Sequence, residues 1–199
     1  MLIPRGVWCF YKEETVKSAD SKPLRKAGQI MRSKRFTAAV ALVVIATFGM
    51  APMANAATRP TTAQKLQLQY LVEEEKLARD VYLYFATNVT SYKFANIARS
   101  EQTHMDLISG VLKSYNYFNP TLTRAQGVFR DKTLQSLYTA LTAKGSTDIW
   151  AAYQVGVEIE NLDIGDLQNM LEDSMPADMK YALDRLLNGS INHLAAFSR

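Results

Sequence analysis

The sequence predicts an all-α four-helix bundle, on three observations. Four long segments repeat apolar residues at alternating steps of three and four, the period of a helix that turns one face to a core. No segment alternates with the period of a half-buried strand. The composition, 48% hydrophobic and 21% charged over 199 residues, is that of an ordinary globular domain.

The front of the chain reads as targeting sequence. Arg32, Lys34 and Arg35 form a basic region, Phe36 to Met50 an apolar one, and Ala54-Asn55-Ala56 a small-x-small cleavage site, so residues 31–56 are expected to be a secretory signal peptide. A transmembrane anchor is the alternative, but this apolar run is shorter than the roughly 20 residues needed to span a bilayer. The mature protein is expected to begin at Ala57, to be periplasmic or secreted, and to have no membrane span. Residues 1–30 have no helical or strand period. Met31 is the expected true start, and 1–30 a non-native or mis-assigned extension. The only cysteine, Cys9, lies in that extension, which removes disulfide, iron–sulfur and thiol-nucleophile chemistry from the domain at 57–199.

The formal charge of +4 also belongs to the front. Residues 1–56 hold nine of the 23 basic residues and three of the 19 acidic ones, leaving 14 basic against 16 acidic in the rest. A slightly acidic domain gives no basis for nucleic-acid binding.

After a polar arm at Ala57–Ala63, Gln64–Thr87 lacks Gly and Pro and is rich in strong helix formers, which predicts the first long helix. Ser91 can cap a second, running to about Tyr115. Asn116–Asp131 reads as a long loop, either a connector or a lid. Lys132–Ala143 predicts a short extra helix. Ser146 or Thr147 can cap a third long helix from Asp148 to about Asp163, broken or bent at Gly165, with Leu167–Glu172 as a further turn. Pro176 suits the first position of a fourth long helix ending near Phe197.

The inward stripes carry the chemistry. They are Leu68, Leu71, Glu75, Ala78, Tyr82, Phe85; then Phe94, Ile97, Glu101, His104, Ile108, Val111; then Ile149, Tyr153, Gly156, Glu160, Asp163, Leu167; then Met179, Leu183, Leu186, Ser190, His193, Phe197. Each is apolar except near its middle. A carboxylate in a core is costly unless it is paired, neutralised or bound to metal, and here four helices aim polar groups at one level. Both histidines of the chain lie on these stripes, and histidine with carboxylates suits iron or manganese, with zinc also admissible. Plainer readings stand beside this one: Glu75 as a solvated partner of Arg79, His193 as a core histidine bonded to Ser190, and Tyr82 as core packing.

Glu75-Lys-Leu-Ala-Arg-Asp-Val-Tyr82 followed by Ile97-Ala-Arg-Ser-Glu101-Gln-Thr-His104 resembles the first half of rubrerythrin and other ferritin-like di-iron proteins, over roughly Leu68–Phe197. The resemblance implies that Glu75 and the Glu-x-x-His of Glu101 and His104 bind one side of a two-metal site. The second half departs from the pattern, with Ser190-Ile-Asn-His193 where the superfamily has a second Glu-x-x-His, and Asp163 stands as the substitute carboxylate. Asn161-Leu-Asp163-Ile and Gly189-Ser-Ile-Asn-His193-Leu are similar to an exported ferritin-like branch classed as a domain of unknown function.

The expected ligands of two metal ions, iron first, are therefore Glu75, Glu101, His104, Glu160, Asp163 and His193, supported by Tyr82 and Ser190. Oxidation of the metal by peroxide or oxygen is the expected chemistry if there is turnover, and a homodimer is compatible with it. Two rival functions remain: metal buffering or metal-stabilised binding without turnover, and an envelope interaction module with a purely hydrogen-bonded polar core.

Overall fold

The computed structural model describes residues 59–89 and 91–199. The expected signal peptide at 31–56, the expected extension at 1–30 and the expected mature start at Ala57 lie outside the described residues. Within them the order is α1 (Thr62–Asn88), α2 (Tyr92–Ser114), α3 (Lys132–Gly145), α4 (Ile149–Leu171) and α5 (Ala177–Phe197), and no strand occurs among the described residues. No helix among them is long and apolar enough to cross a membrane.

The helices pack as two pairs. α1 lies chiefly on α2 and α4 chiefly on α5, α2 meets α5 between the pairs, and the short α3 rests on α1 and α4. The capping chemistry explains the boundaries. Thr61 and Gln64 form a reciprocal capping box at the start of α1, and Asp131 accepts from Thr133 and Leu134 at the start of α3. α4 is capped by Asp148, which accepts from Trp150 and Ala151, and not by Ser146 or Thr147 as expected. Pro176 stands at the cap position of α5, just outside the helix.

Gly165 does not break α4; the helix runs through it to Leu171. A glycine inside a helix costs about 1 kcal/mol relative to alanine. Leu167 and Met170, both buried against the core beyond it, supply burial that outweighs this cost.

Two apolar clusters fill the bundle. One gathers Val81, Phe85, Phe94, Ile97, Val155 and Phe197 with their neighbours, and the other Leu68, Leu71, Ile108, Leu112, Leu183 and Leu186. The polar positions of the four inward stripes lie in sequence between these two sets on every long helix.

The segment between α2 and α3 is strapped along the face of α1 that points away from Glu75. Gln69 donates to the Phe118 carbonyl at 2.7 Å, and Glu73 accepts from the amides of Arg130 at 2.5 Å and Asp131 at 3.3 Å. Lys76, fully buried, donates to the Ala125 carbonyl at 2.8 Å and pairs with Asp80, which also accepts from the Gly127 amide at 2.8 Å. Gly127 has φ +73°, the left-handed region where a side chain is strained, and a Cβ there would press on the Tyr138 ring. The segment is thus a connector pinned to α1.

Candidate metal centre

Glu101, from the middle of α2, stands between the two histidines. Its Oε2 lies 2.8 Å from Nδ1 of His104 and its Oε1 lies 2.8 Å from Nδ1 of His193. Glu75 Oε2, from α1, is 3.2 Å from the same His104 nitrogen, and Glu160 Oε2, from α4, is 3.5 Å from the same His193 nitrogen. The imidazoles stack with centroids 5.3 Å apart. One ligand atom from each of Glu101, His104 and His193 falls within 4.8 Å of the others, a spacing that a single ion can bridge.

The supporting contacts orient the acids. Tyr82, fully buried, donates to Glu160 Oε1 at 2.6 Å, and Ser190 donates to Asp163 Oδ2. Ser190 also bonds the Leu186 carbonyl of its own helix. Ser190 therefore serves Asp163, not His193, whose Nε2 is instead 2.8 Å from Ser100 Oγ. The plainer reading of Glu75 as a solvated partner of Arg79 does not hold, because Glu75 is buried and Arg79 turns to Asp80 and Gln102. All the expected site residues except Asp163 are buried. Asp163 is partly exposed, but its Oδ1 is enclosed.

Several enclosed atoms have no aligned hydrogen bond: Glu75 Oε1, Glu101 Oε1, Asp163 Oδ1 and His193 Nδ1. The last and the second are the pair only 2.8 Å apart. They meet as an ion pair whose geometry falls short of an aligned hydrogen bond.

Charge in the site is unevenly distributed. Burial pushes Glu75 up to about 7, although His104 pulls it down, and burial together with Glu101 pushes Glu160 up to about 8. Burial, with Glu75 next, also raises Asp163 well above the usual carboxylate range. Glu101 runs the other way. Burial would raise it, but the contacts and charges of His104 and His193 together prevail and hold it at about 2. Burial disfavours both imidazolium rings, yet contacts with Glu101 and Glu75 raise His104 to about 11, and those with Glu101 and Glu160 raise His193 to about 10. Glu101 is thus the exception among the four carboxylates, because it sits between two cations.

Three residues escaped the sequence reading. Glu74 and Asp166 face each other beside the site, Glu74 raised well above the usual range by burial and then by Asp166. Their signal was adjacency, one residue after Glu73 and three after Asp163. Ser100 carried none beyond preceding Glu101.

A model of the uncharacterised protein domain DUF2202 matches residues 64–199, which include every member of the site. The chain belongs to the DUF2202 family. Within the DUF2202 region it is similar to the uncharacterised protein MJ0754 of Methanocaldococcus jannaschii, 42% identical over 127 residues, which cover 64% of this chain and 69% of that protein. The crystal structure of that hypothetical protein superposes with a TM-score of 0.69 at 39% identity, covering 70% of this chain and 80% of the other.

Proposed function

We propose that this DUF2202 protein is an exported ferritin-like protein that holds two divalent metal ions, iron first, in the polar level of its core. One observation carries the reading: Glu75 Oε1 and Asp163 Oδ1 are enclosed with no hydrogen-bond partner, and Glu101 Oε1 and His193 Nδ1, also enclosed, meet at 2.8 Å without an aligned hydrogen bond. A core polar network built only for hydrogen bonding would satisfy such atoms with one another.

The residues fit a metal pair by chemistry. Glu75, Glu101 and His104 would hold one ion, and Glu160, Asp163 and His193 the other, with Glu101 between them. Four carboxylates balance two dications. Two ferrous ions there would supply the two electrons that, with two protons, reduce peroxide to two waters. The chain's own part is positional. Tyr82 fixes the Glu160 carboxylate, Ser190 fixes Asp163, and the two apolar clusters exclude bulk water on either side.

Binding without turnover is the second reading, and Ser190 favours it. A hydroxyl stands where the ferritin-like pattern has a carboxylate, and the fourth carboxylate, Asp163, comes from α4 instead of α5, which changes the positions left open to an oxidant.

Metal analysis of protein purified from the cell envelope without a histidine tag tests the site, and about two ions per chain is the expected result. Iron-loaded anaerobic protein mixed with peroxide then tests turnover. Oxidation no faster than for free ferrous ion would leave the binding reading. Export is tested by mass spectrometry, which should find a mature start at Ala57; an intact leader on cytosolic protein would remove the exported part.

A further inference from the structure

We propose that Ser100 is the positioning residue of His193, setting which ring nitrogen faces the carboxylates. The inference rests on the metal reading of this site and adds a residue that reading does not need. Ser100 precedes Glu101 on α2, and its Oγ is 2.8 Å from Nε2 of His193 on α5. The other ring nitrogen, Nδ1, is the one 2.8 Å from Glu101 Oε1 and 3.5 Å from Glu160 Oε2, and it lacks an aligned hydrogen bond.

A neutral imidazole carries its proton on one nitrogen and a lone pair on the other. Once metal loading leaves the ring neutral, a hydroxyl oxygen accepting from Nε2–H keeps the proton on that outer nitrogen and leaves the Nδ1 lone pair, on the carboxylate side, for the ion. Ring rotation about the Cβ–Cγ bond would break this contact, so the same hydrogen bond fixes tautomer and orientation. Neighbouring residues on one helix thus divide the work: Glu101 faces the inner nitrogen of His193 and Ser100 the outer one.

His104 has no such need, because Glu75 and Glu101 both approach its Nδ1 and Gly189 packs against its far edge. Loss of the Ser100 hydroxyl should therefore damage the His193 half of the site alone.

The test uses the full chain and zinc, which is diamagnetic and redox-inert, with wild type, Ser100→Ala and Ser100→Thr. In wild type, nitrogen-15 histidine spectra of the zinc-loaded protein should show a protected Nε2–H on His193. Ser100→Ala should lose that protection and bind one of two zinc ions about 10- to 100-fold more weakly, with His104 signals unchanged. Ser100→Thr, which keeps the hydroxyl, should restore both. Equal affinities and an unchanged His193 signal in Ser100→Ala would overturn the proposal while leaving the metal site intact. Wild type that takes up no zinc would overturn the metal reading, and this proposal with it.

Discussion

A β-carbon on Gly189 would stand 2.3 Å from Nε2 of His104. That is inside any real contact distance, so α5 passes against α2 closely enough that the imidazole of one helix occupies the space of a side chain on the other. The ring in turn is held at its Nδ1 by Glu75 and Glu101.

Gly189→Ala should therefore destabilise the protein by about 1–3 kcal/mol through overpacking and weaken metal binding by displacing His104. Gly110, also helical, has nothing within 4 Å of its absent Cβ, and Gly110→Ala should stabilise by up to about 1 kcal/mol. Chemical denaturation of both variants measures the contrast; equal shifts of the same sign would contradict the packing described.

Metal-free protein should be most stable near pH 4–5 and weaken as pH rises to 9. The signs follow from each group. Glu75, Glu160 and Asp163 have raised folded-state values, so their contribution is present below the unfolded value of about 4 and is lost as pH climbs through the folded ones. His104 and His193 are also raised, and their contribution is lost from about 6.5 upward towards about 10 and 11. Glu101 is depressed, so its contribution is present above about 4 and is lost as pH falls towards about 2. Thermal melts from pH 3 to pH 9 in chelator check the profile, and a maximum above pH 7 would contradict it.

Metal loading at pH 7 should release protons, because ligation needs both imidazoles neutral and the raised carboxyls ionised. Counting His104, His193, most of Glu160 and part of Glu75 gives roughly three to four protons per fully loaded chain, to which Asp163, raised by burial, adds in the same direction. Calorimetric titration in buffers of different ionisation heat measures the number. By the same linkage the gain in melting temperature on adding ferrous or manganous ion should be larger at pH 7 than near pH 5.

Glu101→Ala and His104→Ala should abolish most of that metal-dependent gain. Glu73→Ala should keep it and yet lower stability without metal by about 1–3 kcal/mol, because two backbone amides of the strapped connector lose their buried acceptor. Glu73 stands off the inward stripe, but it is not the inert surface position that its place suggests; the exposed Glu172 serves as the neutral control. Melts with and without metal separate the two effects.

The inward stripes were legible in the sequence because helical periodicity is a local property. Alternating steps of three and four placed Glu75, Glu101, His104, Glu160 and His193 inside, and all five are buried. Reading fell short at Gly165, where local propensity argued for a break and the burial of Leu167 and Met170 overrode it. It could not reach the outer face of α1 either. Glu73, Lys76 and Asp80 are buried against the amides and carbonyls of a loop, and backbone groups carry no residue-type signal.

By itself, then, the sequence determined the helices, their inward faces and the residue types at the polar level. Only the tertiary structure decided which atoms meet and with what charge. Glu75, Glu101 and Glu160 are the same residue in the same kind of stripe, yet Glu101 alone falls between two imidazoles. A pKa depends on what surrounds a group in space, so the same carboxyl is held down at about 2 in one place and pushed up to about 7 or 8 in the others.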